Sequence, residues 1–252
     1  MPTVSEYLLQ GAGRLSFGPH SDRARADAEL LLMNLLGINR AWLVANAHAE
    51  IGFEHWEPYD ALLERRYGGE PIQYITGECE FYGLPFKVTR DVLIPRPETE
   101  HLVEKVIEAA QGFTRPHIVD VGTGSGILAL AAAKLGAASV LALDVSSVAV
   151  EAAQANAQAN VLAGRITVRP GSLEETPETT YDLVVANIIA RVIADLAPAL
   201  VASLAPGGLL IASGIIDERL ALAEDALRAA GLAAIERVQE GDWFSLVGRS
   251  SR

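Results

Sequence analysis

The feature that most constrains this chain lies at residues 118–144. Ile118-Val119-Asp120-Val121 is an almost unbroken apolar run and reads as a strand covered on both faces. It enters Gly122-Thr123-Gly124-Ser125-Gly126, then an Ala-rich helical stretch to Leu135, then a second strand, Val140 to Leu143, ending at Asp144. Two parallel strands need a crossover of this kind, and ligands of such sheets gather outside the carboxyl ends of the strands. Glycines let a backbone approach a ligand without a Cβ in the way. An acid at the second strand end can accept the ribose hydroxyls of an adenosine. A dinucleotide fingerprint wants its third glycine one residue later, where Ile127 stands, so a nicotinamide or flavin reading loses support.

Strand and helix alternate from there to the end. A helix is expected over Ser147 to Asn160, a strand over Ile166 to Arg169, and a strand over Tyr181 to Ala186 ending at Asn187. A helix over Ile193 to Leu204, the turn Pro206-Gly207-Gly208, a strand over Leu209 to Ser213 and a helix over Glu218 to Ala230 follow. Ala233 to Gln239 and Trp243 to Val247 are joined by three residues, so they pair antiparallel. The fold class is α/β: a Rossmann-like, doubly wound, seven-stranded sheet.

The first 70 residues read differently. Thr3 and Glu6 form a capping-box signature, Ser21 or Asp22 can cap a second helix that stops at Gly37, Asn39 can start a third, and a fourth ends at Gly68-Gly69. Residues 1–70 are expected to be a small helical bundle, residues 71–94 a β-hairpin linker beginning with strand-like Tyr74-Ile75-Thr76-Gly77, and residues 95–252 the α/β domain. Pro97 is expected in the first turn of a helix that buries Leu102, Val103, Val106 and Ile107. Trp42 and Trp56 read as bundle core, and Asn156 and Asn160 as an exposed polar face.

Composition narrows the function classes. Twenty basic residues against 32 acidic give net −12, shared by both halves, so no basic surface for nucleic acid is advertised. Solubility is the plainer meaning of the charge, with an acidic face for a basic protein as a weaker one. One cysteine, Cys79, supports neither a disulfide framework nor a four-cysteine zinc site, and no metal is expected. No signal peptide or membrane span is visible, so a soluble cytoplasmic protein is expected.

Residues 118–144 resemble motif I and the following acid of class I S-adenosylmethionine-dependent methyltransferases. The resemblance implies S-adenosylmethionine as cofactor, its methionyl part over Gly122, Thr123, Gly124 and Gly126, its ribose on Asp144, its amino end at Asp120 and its adenine near Ser172. Gln73-Tyr74-Ile75-Thr76-Gly77, Glu80-Phe81-Tyr82-Gly83 and Ile94-Pro95-Arg96-Pro97-Glu98-Thr99-Glu100 resemble the release-factor glutamine methyltransferases (HemK/PrmC family), whose substrate-recognition domain would correspond to the bundle. That family has Asn-Pro-Pro-Tyr at the fourth strand end. Here Asn187-Ile188-Ile189-Ala190 stands, and from Gly122 onward the chain, through Glu240-Gly241-Asp242-Trp243, is more similar to the ribosomal-protein methyltransferases of the large-subunit stalk protein (PrmA family).

These resemblances imply a protein N-methyltransferase of the translation machinery. The first expectation for its target is a release-factor glutamine. The alternatives are a lysine or N-terminal amine of a ribosomal protein, a non-catalytic cofactor-binding module, and a small-molecule or RNA methyltransferase. Asn187 is the expected catalytic residue and touches cofactor and substrate alike; Asn187 and the carbonyl of Ile188 would hold the substrate nitrogen.

Overall fold

A computed structural model describes residues 1–90, 94, 100, 103, 104, 106–108, 112–173 and 179–250. The chain forms two compact units, Met1–Glu78 and Cys79–Arg252.

The first unit is helical: α1 (Val4–Leu15), α2 (Ala24–Leu36), α3 (Arg40–Ala45), α4 (Trp56–Tyr67) and α5 (Ile72–Thr76). The capping box at Thr3 and Glu6 is formed, Asn39 caps α3, and Gly37 ends α2 in the left-handed region. A short 3₁₀ turn at Ser21–Arg23 precedes α2, with no side-chain cap. Val4, Leu8, Leu31, Leu32 and Leu63 fill the core, and Tyr7 meets Trp56 edge-on at 5.2 Å. Trp42 departs from the expected core position and is 40% exposed. Residues 72–76 are helical rather than extended. Ile72 and Ile75, three apart, both face the bundle core; Pro71 precedes the turn and Gly77, at φ +76°, stops it. A three-residue apolar spacing outweighed the short alternation around the glycines.

The hairpin is short: β1 (Glu78–Phe81) and β2 (Leu84–Lys87). Its turn residues Tyr82 and Gly83 both have positive φ, as the type I′ form of a two-residue hairpin turn requires. Phe81 and Phe86 pack edge-to-face at 6.0 Å and belong to the core of the second unit, with Val103 and Val106. The expected 71–94 linker therefore divides, its first part in one unit and its hairpin in the other. Residues 103 and 106 are helical and buried as expected; Pro97 and Leu102 lie outside the described residues.

The main sheet holds β3 (His117–Val121), β4 (Ser139–Asp144), β5 (Ile166–Pro170), β6 (Tyr181–Asn187), β7 (Leu204–Ile216), β8 (Leu232–Glu240) and β9 (Trp243–Ser250), in the order β5-β4-β3-β6-β7-β9-β8. The five strands from β5 to β7 are parallel and β9 is antiparallel to both neighbours. Helices α6 (Ile127–Lys134), α7 (Ser147–Ala159), α8 (Ala190–Ala202) and α9 (Asp217–Ala229) complete this Rossmann-like unit. Winding proceeds one way from β3 through β4 to β5 and the other way from β6 to β7. The switch point thus falls between the neighbouring strands β3 and β6. Helix α8 starts at Ala190, three residues before its expected start.

Candidate functional site

The loop after β3 is pinned to β4 by two amides: Gly122 and Thr123 both donate to the carbonyl of Leu143 at 2.9 Å. The three glycines have positive φ but different neighbours. A Cβ on Gly122 would lie 2.3 Å from Cγ2 of Ile188, and one on Gly126 would press on Ala153 and Leu130 at 3.1 Å. Gly124 faces open space. Gly122 and Gly126 therefore let neighbouring side chains pack closely, while Gly124 leaves the loop open to a ligand.

Asp144 ends β4 half-buried, each carboxylate oxygen held by one amide: Gly124 donates to Oδ2 and Ser146 to Oδ1, both at 2.9 Å. Each oxygen retains a further lone pair. Gly171 donates to the carbonyl of Asp144 at 2.9 Å, which ties the loop carrying half-buried Ser172 to the same strand end.

Asp120 is 2% exposed. Its Oδ2 accepts a 2.6 Å hydrogen bond from the Thr123 hydroxyl. Its Oδ1, among the described residues, is the one buried side-chain polar atom with no partner. Burial pushes this carboxyl up to about 6, against the lowering influence of Thr123 and the backbone of Ala129, and nearby Asp144 raises it further.

Asn187 ends β6 opposite Ser213 of β7, and Ile188 donates to the Ser213 carbonyl at 3.1 Å. Beside them β7 carries an irregularity against β9 between Ala212 and Ile215. There Gly214 has φ +83°, and a Cβ on it would meet the Ile188 carbonyl at 2.8 Å and Asn187 Oδ1 at 3.1 Å. Gly214 thus lets β7 pack closely against the Ile188 carbonyl and the Asn187 side chain, where any other residue would clash. Gly214 is not among the expected site residues; its mark in the sequence is the pair Ser213-Gly214 at a strand's carboxyl end.

Asn156, expected on an exposed face, is fully buried. Its Oδ1 accepts from the Lys87 amide at 2.7 Å, and its Nδ2 donates to the carbonyls of Lys87 at 3.0 Å and Ser125 at 2.8 Å. Asn160, partly exposed, donates to the Pro85 carbonyl at 2.9 Å. No group of three or more metal-ligating side chains occurs among the described residues, and none of their helices is long and apolar enough to cross a membrane.

Residues 98–251 match the family described as ribosomal protein L11 methyltransferase (PrmA), and residues 6–77 match the family described as the PrmC N-terminal domain. A ribosomal protein L11 methyltransferase of Pelotomaculum thermopropionicum is 54% identical over 139 residues, covering 54% of this chain and 45% of that protein. A release factor glutamine methyltransferase of Koribacter versatilis is 44% identical over 166 residues, covering 65% of this chain and 59% of that protein. The chain thus spans about half the length of the curated relatives it matches. A crystal structure of a ribosomal protein L11 methylase from Lactobacillus delbrueckii subsp. bulgaricus superimposes with a TM-score of 0.57 at 39% identity, covering 62% of this chain and 80% of that one. With more than half of its residues inside the first match, and with a methyltransferase sheet order, this chain belongs to the ribosomal protein L11 methyltransferase (PrmA) family.

Proposed function

We propose that the protein is an S-adenosylmethionine-dependent protein N-methyltransferase of the translation machinery. The observation that carries the cofactor reading is the unpartnered oxygen of buried Asp120, on the strand that leads into the open Gly124 loop. A buried carboxylate without a partner is costly, and a cationic ammonium such as the cofactor's methionyl end would relieve it. Asp144, already fixed by two amides, has lone pairs left for ribose hydroxyls, and Ser172 lies on the loop tied to it for the adenine. The bound cofactor supplies an electrophilic methyl group on a sulfonium sulfur.

Asn187 Oδ1 and the Ile188 carbonyl then accept N–H bonds from the substrate nitrogen and hold it in line with the methyl–sulfur bond. The N-terminal unit selects the substrate. Its match to the PrmC N-terminal domain supports a release-factor glutamine as the target. The same unit has a hollow of about 260 Å³ lined by Pro2, Tyr7, Gln10, Phe53 and Trp56, suited to an apolar group of a protein partner.

A specific observation favours the second reading, an amine of a ribosomal protein. The amide nitrogen of glutamine is a poor nucleophile, its lone pair delocalised into the carbonyl, and gains from a flat aromatic wall. Here Ala190 is buried at the start of α8 and Ile188 packs on Gly122, so residues 188–190 offer none. An amine needs only to lose its proton in an oriented, desolvated pocket. Intact-mass analysis of purified release factor and of the large-subunit stalk protein, each incubated with the protein and cofactor, tests the proposal. A methyl gain on release factor, mapped to a glutamine, is the expected outcome. A gain on the stalk protein alone selects the second reading. Cofactor binding with no gain on either would leave a binding module.

A further inference from the structure

We propose that Asn156 is a positioning residue that couples the glycine loop to the β1–β2 hairpin, so that filling the cofactor site tightens the hairpin. The inference rests on the cofactor reading above. One fully buried side-chain amide holds both backbone groups of Lys87, at the end of β2, and the Ser125 carbonyl in the middle of the loop. These partners lie 69 and 31 residues away in sequence, so the bond network joins three separate segments through one side chain. The amide has one acceptor atom and two donor hydrogens, and all are committed. A shift of Ser125 must either break a bond to a buried group or carry Lys87 with it, and the first course is costly.

Packing makes the loop stiff on the same side. Gly126 already sits against Ala153 of α7, one turn before Asn156, so the loop cannot move away from the helix without opening that contact. The far end of the hairpin is held separately, where the Tyr82 amide donates to Glu100 Oε1 at 2.8 Å. Asn160 donates to the Pro85 carbonyl of β2 and to the Asn156 backbone carbonyl but makes no bond to the loop, and serves as the control for a hairpin contact without the loop bond. Coupling of this kind is reciprocal: whatever tightening the ligand gives the hairpin, a loosened hairpin takes from ligand affinity.

Amide hydrogen exchange on the full chain, with and without S-adenosylhomocysteine, measures the coupling. In the unmodified protein the ligand is expected to slow exchange at Gly122–Ser125 and, by at least threefold, at Leu84, Phe86 and Lys87. In Asn156→Ala the loop should still respond while Leu84 and Phe86 lose their response, and ligand affinity should fall roughly five- to tenfold. A purely structural asparagine would speed hairpin exchange equally in both states and leave the ratio untouched, which overturns the proposal. Asn160→Ala should keep the ratio; its loss there would also overturn it. Loop protection without hairpin protection in the unmodified protein refutes the coupling even if Asn156→Ala fails to fold. Protection at neither place refutes the cofactor reading and the coupling with it.

Discussion

Each unit buries an aspartate, and the two are treated in opposite ways. In the N-terminal unit Asp27 is fully buried, with Oδ2 accepting from Arg66 Nε at 2.7 Å and Oδ1 from Arg23 Nε at 3.4 Å. Arg66 is itself 5% exposed and also donates to the Glu70 carbonyl at 2.8 Å. In the C-terminal unit Asp120 is as deeply buried, yet its Oδ1 makes no hydrogen bond of ordinary geometry, and only the Thr123 hydroxyl and the Ala129 backbone favour its charge. A charge that is paired inside the fold serves the fold. A charge left half-paired costs stability, and under the proposed cofactor reading a bound ligand would offset that cost.

The sharpest test of that contrast is Arg66→Ala. Removing Arg66 leaves the buried carboxylate of Asp27 only its 3.4 Å contact with Arg23, so the unfolding free energy of the N-terminal unit should drop by about 3–5 kcal/mol. Cofactor affinity should not change. Calorimetric melts and titrations on the same variant check both halves of the statement, and a small loss of stability would put Asp27 in the same class as Asp120. Next in size is Asn187→Ala. Its side chain is expected to orient the substrate nitrogen in the transition state, so the single-turnover rate constant should fall by roughly two orders of magnitude, with cofactor affinity nearly unchanged. A normal rate with a lowered melting temperature would show that Asn187 only supports the end of β6.

The placement of the candidate site's residues at the strand ends is largely legible in the chain because its signals are local. The loop glycines, Asp120 and Asp144 lie within 25 consecutive residues, and the strand–loop–helix–strand grammar fixes their mutual placement. What escaped depends on long-range partners. Asn156 reads as polar and exposed, but Ala149, Val150, Ala153 and Ala157 mark the buried face of α7 and Asn156 falls on it. The helical spacing was visible; Lys87 and Ser125, which make its burial tolerable, were not. Gly214 escaped for a similar reason, since its close neighbours come from β6. Helix α5 escaped because five residues between Pro71 and Gly77 carry too few apolar positions to separate a short helix from a strand.

A smaller effect is expected at Asp144. Asp144→Ala removes the acceptor for the ribose hydroxyls and also frees the Gly124 and Ser146 amides, which hold the loop and the start of α7. Cofactor affinity should weaken by roughly 1–3 kcal/mol, the cost of leaving polar groups unpaired. Titration calorimetry reads it directly. Unchanged affinity would move the ribose site elsewhere along the strand ends.

The last test returns to the unpaired aspartate. The Asp120 carboxyl sits at about 6 in the folded protein, against an ordinary value of 3.8. Between those values the folded protein keeps a proton that the unfolded chain has released. Stability from this group therefore declines as pH rises from about 4 to about 6, and the whole penalty remains at higher pH. Asp120→Asn keeps an acceptor for Thr123 and removes the charge. The ligand-free variant should match the parent near pH 4 and exceed it at pH 8 by about 1–2 kcal/mol, a shift of that size in carboxyl affinity discounted for relaxation of the site. Its cofactor affinity at pH 8 should be lower, because the ammonium has lost its counter-charge, and the parent's affinity should climb as pH passes 6 while the variant's stays flat. Asp27→Asn should instead lose stability, because its pairing with Arg66 is weakened, and leave cofactor affinity alone. If Asp120→Asn proves less stable than the parent at pH 8, the carboxylate is satisfied within the fold, and the distinction between a paired and a waiting aspartate collapses.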